Sequence, residues 1–124
     1  MADRMEGLER QLLKERERIK NLIDSLEGEG IEPEGPDHSN HLAESASYLS
    51  QMEYTAGEIM SLRHILAEID HALRKIAGRP DRAGQCEKCG LPIEEGRLKA
   101  KPWARYCLEC RIKYEKALSR KKWN

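Results

Sequence analysis

The residues best suited to chemistry in this chain of 124 are its four cysteines, in two pairs, Cys86-Glu-Lys-Cys89 and Cys107-Leu-Glu-Cys110. Seventeen residues separate the two inner cysteines. Each Cys-x-x-Cys knuckle brings two sulfurs to one side of an ion, so two knuckles at this separation can surround one Zn²⁺ tetrahedrally. With cysteine at all four positions no coordination site is left open to water, which makes the metal structural rather than catalytic. Gly90, directly after the first knuckle, can take the φ > 0 conformation that folds the knuckle back on itself. Two disulfides are the competing use of four cysteines. The chain begins Met-Ala-Asp-Arg without an apolar signal segment, which argues for a reducing, cytoplasmic setting. An iron–sulfur or rubredoxin-type iron site would use the same ligands. Structural tetra-cysteine sites of this spacing are mostly zinc, and structural Zn²⁺ is the expectation.

The residues between the knuckles narrow the reading. Cys86-x-x-Cys89-Gly90-x-x-Ile93, then Arg97-Leu98-x-Ala100-x-Pro102, then Cys107-x-x-Cys110 resembles the four-cysteine zinc-finger signature of the DksA/TraR family of transcription regulators. The close match covers residues 86–110, and the layout upstream extends it to most of the chain. The resemblance implies a coiled-coil hairpin clasped by a zinc module, with no enzymatic activity of its own. It also implies a partner, RNA polymerase, whose secondary channel the hairpin enters so that its tip acts near the active centre and modulates initiation.

Long helices are needed to position such a module. From Met5 to Leu26, Met5, Leu12, Ile19 and Leu26 hold one heptad position and Leu8 and Leu22 the other, with Glu15 as an interruption. Three Gly and two Pro between Gly28 and Asp37 stop this helix in an acidic loop. A second helix begins between Ser39 and Ser45, with Ser39 or Asn40 as N-cap. Its seam runs Ser45, Tyr48, Met52, Thr55, Ile59, Leu62, Leu66, Ile69, Leu73, Ile76. Gly78 is the expected C-cap and Pro80 the terminator. Between the cysteine pairs, short turns or a β-ribbon are expected, and a final helix emerges from the second knuckle with Leu108, Ile112 and Leu118 on one face. The expected fold is therefore all-α dominated: an antiparallel coiled-coil hairpin over residues 1–80, its tip near 28–46, and a zinc module with a basic C-terminal helix over 81–124. Heptads alone also permit an intermolecular coiled coil. Sequential helices joined by one connector favour the hairpin, and a monomer.

With 35% charged and 5% aromatic residues and no Phe, the chain cannot build a large globular core, but a helix–helix seam and a metal-stapled module need little apolar volume. No run approaches a membrane span. The zero net charge hides a gradient: residues 1–62 carry six basic against fourteen acidic groups, and residues 97–124 ten basic against two acidic. Within that basic end, Lys101, Arg111, Lys113, Lys116 and Arg120, interleaved with Trp103, Tyr106, Tyr114 and Trp123, form a candidate docking surface for polymerase or for nucleic acid. No base-reading motif accompanies them.

At the tip, Asn40-His41-Leu42-Ala43-Glu44-Ser45-Ala46 stands where the resemblance implies an acidic residue followed by a small one. His41, Glu44 and Ala46 are the candidate partner-binding positions. A carboxylate on a long thin hairpin can reach a recessed Mg²⁺ or basic loop; otherwise Glu44 is a first-turn carboxylate favoured by the helix dipole. A transcript-cleavage role would call for a close acidic pair holding Mg²⁺, and no second acid stands near Glu44 until Glu53. Some family members answer to ppGpp. Lys101 and Arg111 occupy the basic zinc-region positions, but the helix positions fall on Ser61 and Glu68, where an acid repels pyrophosphate, so a direct alarmone response is not expected. His64 and His71 lie off the seam and read as exposed bystanders. The reading from another class is a nucleic-acid-binding zinc module on a coiled-coil oligomerisation arm.

Overall fold

The computed structural model describes residues 2–28 and 42–123. Among the described residues four α-helices follow in order: α1 (Ala2–Gly28), α2 (Leu42–Gly78), α3 (Glu95–Ala100) and α4 (Leu108–Trp123). α1 runs past Leu26 to Gly28, and α2 opens at Leu42, inside the window expected from Ser39 to Ser45, and is 37 residues long. The N-cap expected at Ser39 or Asn40 lies outside the described residues.

The chain forms two compact units, Met1–Arg16 with Glu68–Asn124, and Glu17–Ala67. In the second, Ile19 and Ile23 of α1 are buried and Met52, Thr55, Ile59, Leu62 and Leu66 of α2 are half-buried. An exposed ion pair joins Arg63 to Glu27. The burial differs from the heptad at one turn: Ile23 is 7% exposed, whereas Leu22, expected on the seam, is 39% exposed. The stripe Leu12, Ile19, Ile23 follows the 3.6-residue period of a straight helix, which drifts from a 3.5-residue repeat.

In the first unit, Leu12 and Ile69 are fully buried. Burying each such side chain contributes about 1.5–3 kcal/mol. Arg16 Nε donates to Asp70 Oδ1 at 2.7 Å beside them. Within this unit partner numbers fall along α2 as they rise along α1, from Leu8 beside Ala72 and Ile76 to Arg16–Asp70, the order of an antiparallel pair. α2 ends without the expected left-handed cap: among the described residues only Gly84 and Gly90 have positive φ, and Gly78 is the last helical residue. Arg79 N–H still closes on the Lys75 carbonyl at 2.7 Å, and a 3₁₀ turn follows over Pro80–Arg82. Pro80 terminates the α-helix because it has no N–H to donate.

The segment between the knuckles departs from the expectation of turns or a ribbon. Its only β feature among the described residues is the isolated antiparallel bridge Gln85–Pro92, and α3 takes the place of a second strand. No described helix is long and apolar enough to cross a membrane.

Candidate metal centre

The first knuckle is built by backbone hydrogen bonds within a few residues. Gly90 N–H donates to the Cys86 carbonyl at 2.9 Å, and Cys86 N–H to the Leu91 carbonyl at 2.8 Å. Closing that turn requires the φ of +78° at Gly90. Gly84, at φ +76°, delivers the chain into the knuckle, and its carbonyl accepts from Ile93 N–H at 2.9 Å. The second knuckle is the first turn of α4, where Arg111 N–H reaches the Cys107 carbonyl at 2.9 Å.

α3 accounts for the Arg-Leu-x-Ala-x-Pro stretch. Leu98 turns inward and joins Cys86, Ile93, Cys107 and Cys110 in one buried cluster, against which Leu8 of α1, Ala104 and Tyr106 pack. Arg97 Nε donates to the Tyr106 carbonyl at 2.9 Å, which fixes the strand of chain entering Cys107. Pro102 is buried just past the end of the helix. The module is tied to the hairpin base by Gln11 Nε2, which donates to the Lys99 carbonyl at 2.9 Å, and by Arg105, which grips Glu68.

The four cysteine sulfurs lie within 4.8 Å of one another, and Cys89 Sγ stands 3.8 Å from Cys107 Sγ. Metal–sulfur bonds of about 2.3 Å in a tetrahedron put the sulfurs about 3.8 Å apart, so the donor set fits zinc in both chemistry and spacing. Cys86, Cys107 and Cys110 are buried and Cys89 is exposed. All four are free thiols, so the disulfide alternative is not realised. These residues hold a structural Zn²⁺, with no donor position left for substrate.

The thiols differ in acidity. Burial raises Cys86, but backbone N–H donors at Cys89, Cys107 and Lys88 outweigh it and hold the thiol down at about 6. Cys110 is pushed up to about 12, by burial first and then by the neighbouring sulfurs of Cys107, Cys86 and Cys89. Cys89 also lies above the usual thiol value: Leu91 N–H lowers it, but burial and the Cys86 and Cys107 sulfurs prevail.

Among the other candidates, Lys101, Lys116 and Arg120 are exposed. Arg111 pairs with Glu115 at 3.0 Å and lies 5.4 Å from the Tyr114 ring centroid. Lys113 pairs with Glu109 at 3.5 Å. Tyr106 and Tyr114 stack on each other at 6.2 Å between centroids, which engages two of the interleaved aromatics within the module. The apolar face of α4 is open: Leu108, Ile112 and Leu118 are 52%, 41% and 44% exposed. At the tip, His41 and the side chain of Glu44 lie outside the described residues, and Ala46 is exposed in the first turns of α2.

Two residues depart from the sequence expectation. His71 is half-buried rather than a bystander, its Nε2 lying 3.0 Å from Glu87 Oε2. Arg105, absent from the candidate residues, makes a two-pronged contact with Glu68, 37 positions away. Nothing in a local pattern signals a pair that far apart.

Comparison with known proteins converges on these same elements. Residues 79–116 match the family described as the prokaryotic dksA/traR C4-type zinc finger. An uncharacterized protein of Aquifex aeolicus (strain VF5) is 42% identical over 72 residues, which cover 55% of this chain and 48% of that protein. The chain thus spans about half the length of that relative. Among solved structures, transcription factor DksA2 from Pseudomonas aeruginosa superposes with a TM-score of 0.74 at 26% identity, over 93% of this chain and 85% of that one. The DnaK suppressor protein from Agrobacterium tumefaciens C58 gives a TM-score of 0.51 at 29% identity, over 86% and 90%. With its signature and its four clustered thiols, the segment 79–116 is a zinc finger of the dksA/traR C4 type, and the chain that carries it has the fold of DksA2.

Proposed function

We propose that this protein is a transcription regulator that binds RNA polymerase and acts through its hairpin. The observation that carries the reading is the similarity over 93% of the chain to a structure described as a transcription factor. In this reading the zinc module and the base of α1 and α2 dock on the polymerase surface, with Lys101, Arg111, Lys113, Lys116 and Arg120 as the basic contact surface. The hairpin enters the secondary channel, and His41, Glu44 and Ala46 at the tip modulate initiation near the active centre. The four cysteines are fully committed to a structural metal, so the protein contributes contacts and not a reaction.

The test is a pull-down of core RNA polymerase with the zinc-loaded protein and with Glu44→Ala, paired with in vitro transcription and a bare-DNA control. Polymerase binding that survives in Glu44→Ala while the effect on transcription disappears supports a docked regulator with a working tip. Binding to bare DNA with none to polymerase would replace this reading with that of a nucleic-acid-binding zinc module. Mg²⁺-dependent trimming of stalled transcripts, lost in Glu44→Ala, would make the protein a cleavage stimulator instead.

A further inference from the structure

Beside the metal centre, five cationic side chains gather around one open basin of about 770 Å³: Arg74 and Lys75 from the end of α2, Arg79 and Arg82 from the connector, and Lys88 from the first knuckle. Lys75 is committed. Its Nζ donates to the Gln85 carbonyl at 3.1 Å and lies 3.6 Å from Glu87 Oε2. Glu87 is the one carboxylate lining the basin, and it is shared between Lys75 and His71. The side chains of Arg74, Arg79, Arg82 and Lys88 are exposed and have no hydrogen-bond or ion-pair partner among the described residues.

Local structure does not account for this charge. A helix C-terminus favours one or two cations in its last turn, which explains Lys75 but not Arg74 before it. It does not call for two further arginines beyond the turn. A zinc ion held by four thiolates carries a formal charge of −2. Together with Glu87 that offsets three of the five cations, and the basin keeps a surplus of two. Its floor also lacks side chains at Gly78 and Gly90, where nothing stands within 4 Å of an added Cβ. A ligand can therefore come down to the backbone between the cations. His71 is the only ring on the lining, so there is no stacking platform for a base.

We propose that this basin binds an oligophosphate, meaning two or more linked phosphate groups, through Arg74, Arg79, Arg82 and Lys88. Arginine forks match phosphate oxygens in pairs, and linked phosphates supply the multiple negative charges that several separate cations need. The site does not use Lys101, Arg111 or the basic face of α4. It recognises phosphate and not a base, so the phosphates can belong to a free anion or to a nucleic acid strand.

The experiment is a ¹⁵N NMR titration of the zinc-loaded full chain with inorganic tripolyphosphate and, separately, with oligothymidylate, while bound zinc is assayed throughout. The expected result is saturable amide shifts confined to residues 74–90, with affinity about tenfold weaker in the double variant Arg79→Gln/Arg82→Gln, as expected for losing charge-assisted contacts. A Lys116→Gln/Arg120→Gln control should leave the affinity unchanged. Saturation by tripolyphosphate alone identifies a free oligophosphate as the source, and saturation by both probes, or by oligothymidylate alone, admits nucleic acid phosphates to the same basin. The proposal is overturned if neither probe shifts these amides at millimolar concentration, if the shifts centre on α4, if the basin variant binds as tightly as the parent, or if the shifts track loss of zinc.

Discussion

Arg105 Nε donates to Glu68 Oε2 at 2.6 Å and its Nη2 donates to Glu68 Oε1 at 2.9 Å, joining the segment that leads into the second knuckle to the middle of α2. The pair is partly screened from water, with side chains 33% and 21% exposed. The hydrogen bonds that Arg105 donates to Glu68 raise its pKa above the ordinary value, so the guanidinium stays charged at any working pH. Arg105→Ala should therefore lower stability by about 1–2 kcal/mol in urea unfolding of the zinc-loaded protein. Arg105→Lys should restore little of it, because an ammonium cannot form the paired contact. An unfolding midpoint that stays put in Arg105→Ala would show the contact to be incidental.

Removal of the metal tests what holds the finger together. Its buried cluster consists of three of the ligands with Ile93 and Leu98, too little apolar surface to fold without the ion. Zinc binding in such modules contributes about 10–16 kcal/mol of folding free energy. Chelation, or Cys86→Ser, should abolish amide dispersion over residues 84–110 and open Arg97 and Arg105 to trypsin, while most of the helical signal of α1 and α2 remains. A metal-free protein that keeps a protease-resistant C-terminal half would contradict this account.

How much could be read beforehand depended on the range of each interaction. The four ligands were legible because each knuckle is a local turn with its own spacing and glycine. The seam residues Leu12, Ile19 and Ile69 were legible because burial on paired helices repeats along the sequence. Ile23 was not, since the interruption at Glu15 let a 3.5-residue register continue on paper where the straight helix drifts by 3.6. α3 was missed because six residues are too few to show a helical period, and its single buried side chain, Leu98, is inward only because the cysteine cluster is there. Arg105–Glu68 and His71–Glu87 are tertiary contacts between charged residues that look, in sequence, like any solvated helix face.

Metal affinity should depend steeply on pH, with a sign set by the thiols. Zinc binds thiolates, so protons compete with it and affinity falls as pH falls. The metal-free finger is unfolded, so its four thiols start near the ordinary cysteine value of about 8.5 and all release their protons on binding. In the folded finger Cys86, held at about 6, gives up its proton first, whereas Cys110, pushed up to about 12, and Cys89, also raised, hold theirs until the metal displaces them. The expected outcome is a loss of about three to four log units of affinity per pH unit near neutrality, levelling off above pH ~9. Competition against a chromophoric chelator across pH, with proton release followed by calorimetry in buffers of different ionisation enthalpy, measures both quantities. Affinity independent of pH between 6 and 8 would mean that the thiols are already ionised without the metal.

Gly90 offers the most local test of the knuckle. Its φ of +78° is costly for any residue with a Cβ, yet nothing stands within 4 Å of where that Cβ would go. Gly90→Ala therefore isolates backbone strain from steric clash. The left-handed conformation costs an L-residue roughly 1–2 kcal/mol, which should weaken zinc binding by about one order of magnitude without preventing folding. Gly90→Asn should lose less, because a short polar side chain tolerates this region. At Gly84 the same strain, at φ +76°, is joined by Leu98 Cδ1 at 3.6 Å, an ordinary contact distance, so Gly84→Ala should cost about as much and not more. Because Gly84 sets the entry to the knuckle while Gly90 closes it, Gly90→Ala should mainly raise the zinc dissociation rate, measurable by transfer to excess chelator. An unchanged rate in Gly90→Ala would mean that the knuckle can close without a left-handed residue at that position.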